Sequence, residues 1–259
     1  MIPLAVQAGL WGLLSGSALL IGALAGWFAP LSRRTIAAVM GFGAGVLISA
    51  LSFDLMDEAW RRSSEAGSGF APVAYGFLGG AALFTLCNFA LGLWGARHRK
   101  RSQAQHRAED TTRRANNSGA LALGALLDGI PESIVIGVSL LEGRGVGLVA
   151  VIAVFLSNLP EGLSSAAGMK AEGRKARFVF LLWGAVALIA GLSAFFGYLA
   201  FAGAPPGLIA AVQAVAAGAI LAMIVDTMVP EAFEGTHDFA GLIAVTGFLT
   251  AFALSKLAV

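Results

Sequence analysis

Asp128 and Glu132 stand four residues apart in "LLDGIPESIVIG", and Asn158 and Glu161 stand three apart in "LSNLPEGLSSAAG". Either spacing puts both side chains on one face of a helix. Ser157, four residues before Glu161, joins the second cluster. Both clusters lie inside long apolar runs, and each sits beside a proline, Pro131 or Pro160. Carboxylates gathered in an apolar setting repel one another unless they are protonated or neutralised by a cation. The surrounding runs hold no central lysine or arginine to supply that charge. The chemistry these residue types fit is therefore the handling of a cation. The prolines fit as well: Pro131 cannot donate to the carbonyl of Leu127, nor Pro160 to that of Leu156, so each frees a backbone oxygen near a carboxylate. The plainer alternative is that protonated Glu132 and Glu161 join helices by hydrogen bonds, with prolines tolerated as they often are in membrane helices.

The elements that carry these residues must cross a membrane. Of the 259 residues, 58% are hydrophobic and only 12% charged, too few charges to cover a water-soluble surface of this size. Apolar runs of about 20 residues, enough to cross about 30 Å of hydrocarbon, recur along the chain. A transmembrane barrel would instead alternate apolar and polar residues. The expectation is an all-α polytopic membrane protein with eight transmembrane helices, approximately Ala5–Phe28, Thr35–Trp60, Pro72–Trp94, Ser118–Glu142, Gly145–Met169, Ala176–Phe201, Pro206–Phe233 and Phe239–Leu257. A charge at the centre of such a span costs at least about 2.5–3.5 kcal/mol, so central acids are expected to face a bundle interior or a water-filled path. The N-terminus lacks a basic leader and a cleavage site, and the first span is expected to remain as an anchor. The single cysteine, Cys87, reads as a small packing residue.

Charge sets an expected orientation. Eight spans place both termini on one side. With that side external, the cytoplasmic loops take thirteen of the 17 basic residues and the external side four. Most of the thirteen lie in the polar loop 96–117, which includes "RHRKRSQAQHRAEDTTRRANN". The reading is a multi-pass protein of the cell inner membrane with periplasmic termini. His98 and His106 in that loop could scavenge metal, but the surrounding arginines favour a positive-inside anchor.

The chain also repeats itself. "LWG" at Leu10–Gly12 recurs at Leu182–Gly184, "AGVLISA" at Ala44–Ala50 resembles "AGAILAM" at Ala217–Met223, and Glu58-Ala59-Trp60 matches Glu231-Ala232-Phe233. With "GFL" at Gly76–Leu78 and Gly247–Leu249, four matches fall in order at offsets of 171 to 173. Spans one to three thus look like spans six to eight, crossing in the opposite sense, around an unrepeated pair: a 3+2+3 arrangement with inverted three-helix repeats. One transmembrane domain, 1–259, is expected, with repeat one at 5–95, the central helix pair at 118–169 and repeat two at 176–258.

"DGIPES" followed one span later by "SNLPEG" resembles the paired signature of the ZIP (Zrt/Irt-like protein) metal transporters, of the bacterial type. The resemblance covers most of the chain. It implies transport of a divalent metal, zinc or a related ion such as manganese, iron or cadmium, into the cytoplasm through a site between helices four and five. It implies metal-ligand roles for Asp128, Glu132, Asn158 and Glu161, with Ser157 a further candidate. The chain departs from the family in having Asp128-Gly129 where a His-Asn pair is usual, and Ser157 where histidine is common. An all-oxygen ligand set suits harder cations such as manganese, magnesium or calcium, and zinc also accepts carboxylates.

Acids elsewhere are read as mouths of the pathway. Asp54, Asp57 and Glu58 form a possible entrance, although Asp57 and Glu58 could equally pair with Arg61 and Arg62 at a helix end. Asp226, Glu231, Glu234, His237 and Asp238 form a possible exit, the last three reading also as a solvated turn. A carrier of protons or small organic cations using the same acids is the alternative. No nucleophile elbow, serine–histidine pair or intramembrane metalloprotease pattern points to an enzyme. The partners expected are a divalent metal ion as substrate and the bilayer, with no organic cofactor and no nucleic acid; a homodimer is left open.

Overall fold

The structure is a computed structural model that describes residues 2–91, 124, 126–127, 129–142 and 147–257. Every described element is helical. They are α1 (Leu4–Phe28), α2 (Arg33–Ala50), a π turn (Leu51–Met56), α3 (Asp57–Glu65), α4 (Ala71–Leu91) and α5 (Gly129–Ser139). After a 3-10 turn (Leu140–Glu142) come α6 (Leu148–Ala171), α7 (Ala176–Phe201), α8 (Pro206–Met223), a second π turn (Ile224–Met228), α9 (Val229–Thr236), a 3-10 turn (His237–Phe239) and α10 (Ala240–Leu257).

Six continuous helical runs among the described residues are long and apolar enough to cross a bilayer. The last, Pro206–Leu257, has 52 residues, which at 1.5 Å per residue would be roughly two and a half times the hydrocarbon thickness. It breaks at His237, whose φ of 46° no helix accommodates, and α10 packs back against α9 and α2. The run therefore supplies two lengths, giving seven apolar helices of crossing length among the described residues. The expected span 118–142 is described mainly as α5, and the loop 96–117 lies outside the described residues.

Along α1 and the C-terminal half of α7, burial is inverted relative to a water-soluble bundle. In α1 the inward residues are Ala8, Gly12, Gly16, Ala18, Gly22, Ala23 and Gly26 among others, while Leu10, Leu13, Ile21 and Leu24 are exposed. In α7, Ala187, Ala190, Gly191, Ala194 and Gly197 face in, and Leu181, Leu188, Leu192 and Phe196 face out. Large apolar side chains outside and small ones inside are what a lipid solvent favours, because helices then associate by close backbone approach rather than by hiding leucine from water. The fold is that of a multi-pass membrane protein.

The small residues set the crossings. A Cβ at Gly22 would overlap the carbonyl oxygen of Leu159, and one at Gly162 that of Leu19, so α1 and α6 touch backbone to backbone. Gly45 on α2 meets the Ala244 carbonyl of α10 in the same way, and Gly218 on α8 meets the Phe77 carbonyl of α4. The principal helix pairs are α1 with α6 and α7, α4 with α8, and α10 with α2. α2 packs in addition on α6 and α9.

Two of the long membrane helices contain a π turn, starting at Leu51 and at Ile224, an offset of 173. Beside each turn a hydroxyl bonds back into its own helix: Ser52 Oγ donates to the Ile48 carbonyl at 2.8 Å, and Thr227 Oγ1 to the Met223 carbonyl at 2.6 Å. Helix α3 then extends beyond the expected end at Trp60 because Glu58 holds Arg61 and Arg62, one turn on, at 2.6 Å each.

Candidate cation sites

Pro160 sits inside α6 and is fully buried. Around it, Ser157 Oγ donates to the Val154 carbonyl of its own helix at 2.9 Å. Asn158 Nδ2 donates to the Ser15 carbonyl of α1 at 3.2 Å. Both side chains are buried, and Asn158 keeps its amide oxygen as an acceptor. Glu161, half-buried, points elsewhere. It lines a small, partly open pocket together with Ser164 and Ser165 of α6, Met40 of α2, Thr227 and Met228 of the second π turn, and Glu231 of α9. Glu231 is buried, and Ser164 Oγ donates to its Oε1.

Glu132, 3% exposed, lines a different small cavity. Its other walls are apolar and include Leu47 and Leu51, Val154, and Ile220. The two P-E frames thus face separate spaces. The same three membrane helices wall both: along α2 the lining passes from Leu47 to Met40, along α6 from Val154 to Glu161, and from Ile220 of α8 to Thr227 in its π turn. Gly43 lies between, where a Cβ would stand 2.8 Å from Pro160 Cγ, 3.4 Å from Met228 Cε and 3.6 Å from Ser157 Cα. No lysine or arginine among the described residues lines either cavity.

The depth difference follows from the hairpin. Gly147 N–H donates to Ser139 Oγ at 3.1 Å and closes the turn between α5 and α6. Glu132 lies eight residues before Leu140, whereas Glu161 lies thirteen after Leu148. At 1.5 Å per residue, Glu161 is about 7 Å farther from the turn.

The remaining expected residues are dispersed. Asp128 lies outside the described residues, as do His98 and His106. Asp54 faces α10, where its Oδ1 accepts from Ser255 Oγ at 3.1 Å. Asp57 is exposed, and Glu58 is engaged by Arg61 and Arg62, the pairing that the sequence allowed. Asp226 is exposed, as are His237, its ring edge-on to Phe233, and Asp238; Glu234 is half-buried. Of the possible exit residues, only Glu231 joins a carboxylate of the central pair. Among the described residues, no three His, Cys, Asp or Glu side chains converge as a metal cluster.

Sequence reasoning missed Ser164, Ser165, Thr227, Met40 and Met228. Ser164 and Ser165 were within reach, being three and four residues after Glu161 and so on its face. The others arrive by helix packing, which carries no local signal. No protein-family model matches the chain, and no curated protein matches its sequence.

Proposed function

We propose that this protein is a divalent-cation transporter of ZIP type, carrying zinc or a related ion such as manganese, iron or cadmium across the membrane into the cytoplasm. One observation carries the reading: buried acids line two cavities that share the same three helices and contain no basic lining residue among the described residues. Acids in such places are costly unless they meet a positive charge. A cation leaving Glu132 for Glu161 would stay beside α2, α6 and α8 throughout and pass the Gly43–Pro160 contact. When the ion departs, the same carboxylates can take up protons, so coupling to a proton gradient is part of the proposal.

We read the fold as eight spans in a 3+2+3 arrangement, with the termini and the Glu132 side periplasmic and loop 96–117 cytoplasmic. The equal offset of the two π turns and the mirrored pairs α4 with α8 and α10 with α2 support inverted repeats. The basic-residue asymmetry supports the orientation.

The test is metal uptake into liposomes holding the purified protein and a metal-sensing dye. Glu132→Ala and Glu161→Ala should each bring uptake down to that of empty liposomes while the proteins remain folded. Wild-type uptake by both variants rejects the proposal. Acidification of the lumen without metal entry supports the proton carrier instead.

A further inference from the structure

Ser165 is 8% exposed, lines the Glu161–Glu231 cavity, and its hydroxyl has no hydrogen-bond partner among the described residues. A buried hydroxyl left unpaired is costly, and each such group in a native protein calls for an explanation such as a function or a bound species. Its neighbours narrow what that species is. The Ser164 proton is committed to Glu231, and the Thr227 proton to the Met223 carbonyl. Their oxygens therefore meet the cavity with lone pairs and no hydrogen to give. Glu161 and Glu231 add two carboxylates.

We propose that this cavity is a cation site in its own right, separate from the space at Glu132, with Glu161, Glu231 and Ser165 as ligands. Two carboxylates balance one divalent ion, and a hydroxyl can supply a neutral oxygen to it. Met40 and Met228, both buried and both on the wall, add polarizable thioethers. A site of carboxylate and hydroxyl oxygens beside two thioethers accepts softer divalent ions than an all-oxygen cage would. The inference deepens the transport reading and rests on its divalent cargo. It also makes Glu231 a ligand, a role that neither P-E frame of the central pair predicts.

The experiment measures cadmium bound per chain by equilibrium dialysis of the full-length protein in detergent. It compares wild type with Ser165→Ala, Glu231→Gln and Glu132→Gln. Ser165→Ala removes one oxygen and little volume, so it decides the question even where Glu231→Gln fails to fold. Loss of a ligand should weaken binding at this site by about tenfold in Ser165→Ala and by more in Glu231→Gln, the range seen for metal-shell substitutions. Glu132→Gln should leave this class of bound ion unchanged. Wild-type cadmium binding by Ser165→Ala overturns the inference, and if Glu132→Gln then loses the ion, the transport reading survives with its site at Glu132. A wild-type protein that binds no cadmium, zinc or manganese overturns both.

Discussion

Asn158 of α6 donates its side-chain amide to the backbone carbonyl of Ser15 on α1, at 3.2 Å. The bond crosses between helices next to the Gly22–Leu159 and Gly162–Leu19 contacts, so it locks α6 to α1 beside Pro160. It also gives an expected metal ligand a structural occupation. Asn158→Ala should lower stability by about 1–2 kcal/mol, the worth of a buried hydrogen bond. Thermal unfolding in detergent reads this, and metal affinity should change far less than in Glu161→Ala.

Removing carboxylates should separate function from folding. Glu161→Gln keeps shape and hydrogen-bonding capacity but removes the charge. Uptake in liposomes should fall at least about tenfold, as for loss of a metal ligand, with melting temperature within a few degrees of wild type. A Glu161→Gln protein that transports normally would show that the charge is dispensable.

Gly43 lies on α2 between Met40, which lines one cavity, and Leu47, which lines the other, with Pro160 Cγ only 2.8 Å from the place of its missing Cβ. The proline ring cannot swing aside as a flexible side chain would. Gly43→Val should therefore slow uptake strongly while cadmium binding in the Glu161–Glu231 cavity persists. Parallel dialysis and uptake measurements on one preparation check the split.

The glycines at the outer crossings serve packing alone. Gly45→Ala would drive a methyl into the Ala244 carbonyl, and Gly218→Ala into that of Phe77, where backbone cannot yield without parting the helices. Each should cost about 1–3 kcal/mol or more, as overpacking does. Gly79→Ala, whose Cβ would meet nothing within 4 Å, is the control and should melt like wild type.

Much of the scaffold was legible because composition dictates it. α7 runs Ala176–Phe201, the expected bounds, since charged residues and Gly203 bracket an unbroken apolar run. Span two was harder: "RRSSE" reads as a loop, yet Glu58 binds both arginines and carries helix to Glu65. The π turns left no readable mark, because the sequence shows which residues are apolar and not where a turn holds one too many. Spacing along α6 grouped Glu161 with Ser157 and Asn158, which bond elsewhere, and left out Ser164 and Ser165, which share its pocket. It could not show that Glu231, 70 residues on, meets that face, nor that Glu132 opens onto another space. Cross-helix partners depend on where small residues let backbones touch, and Gly22, Gly43 and Gly162 become meaningful only once their neighbours are known.

The two π turns bear on descent. The offset between matching residues is 173 at Ala44 and Ala217, before the turns, and again 173 at Glu58 and Glu231, after them. An extra residue gained by one half alone would have shifted the count by one on crossing the turn. On the duplicated reading of the chain, the insertion is therefore older than the duplication. On that reading, a single ancestral three-helix unit would have carried the widened turn before it was doubled.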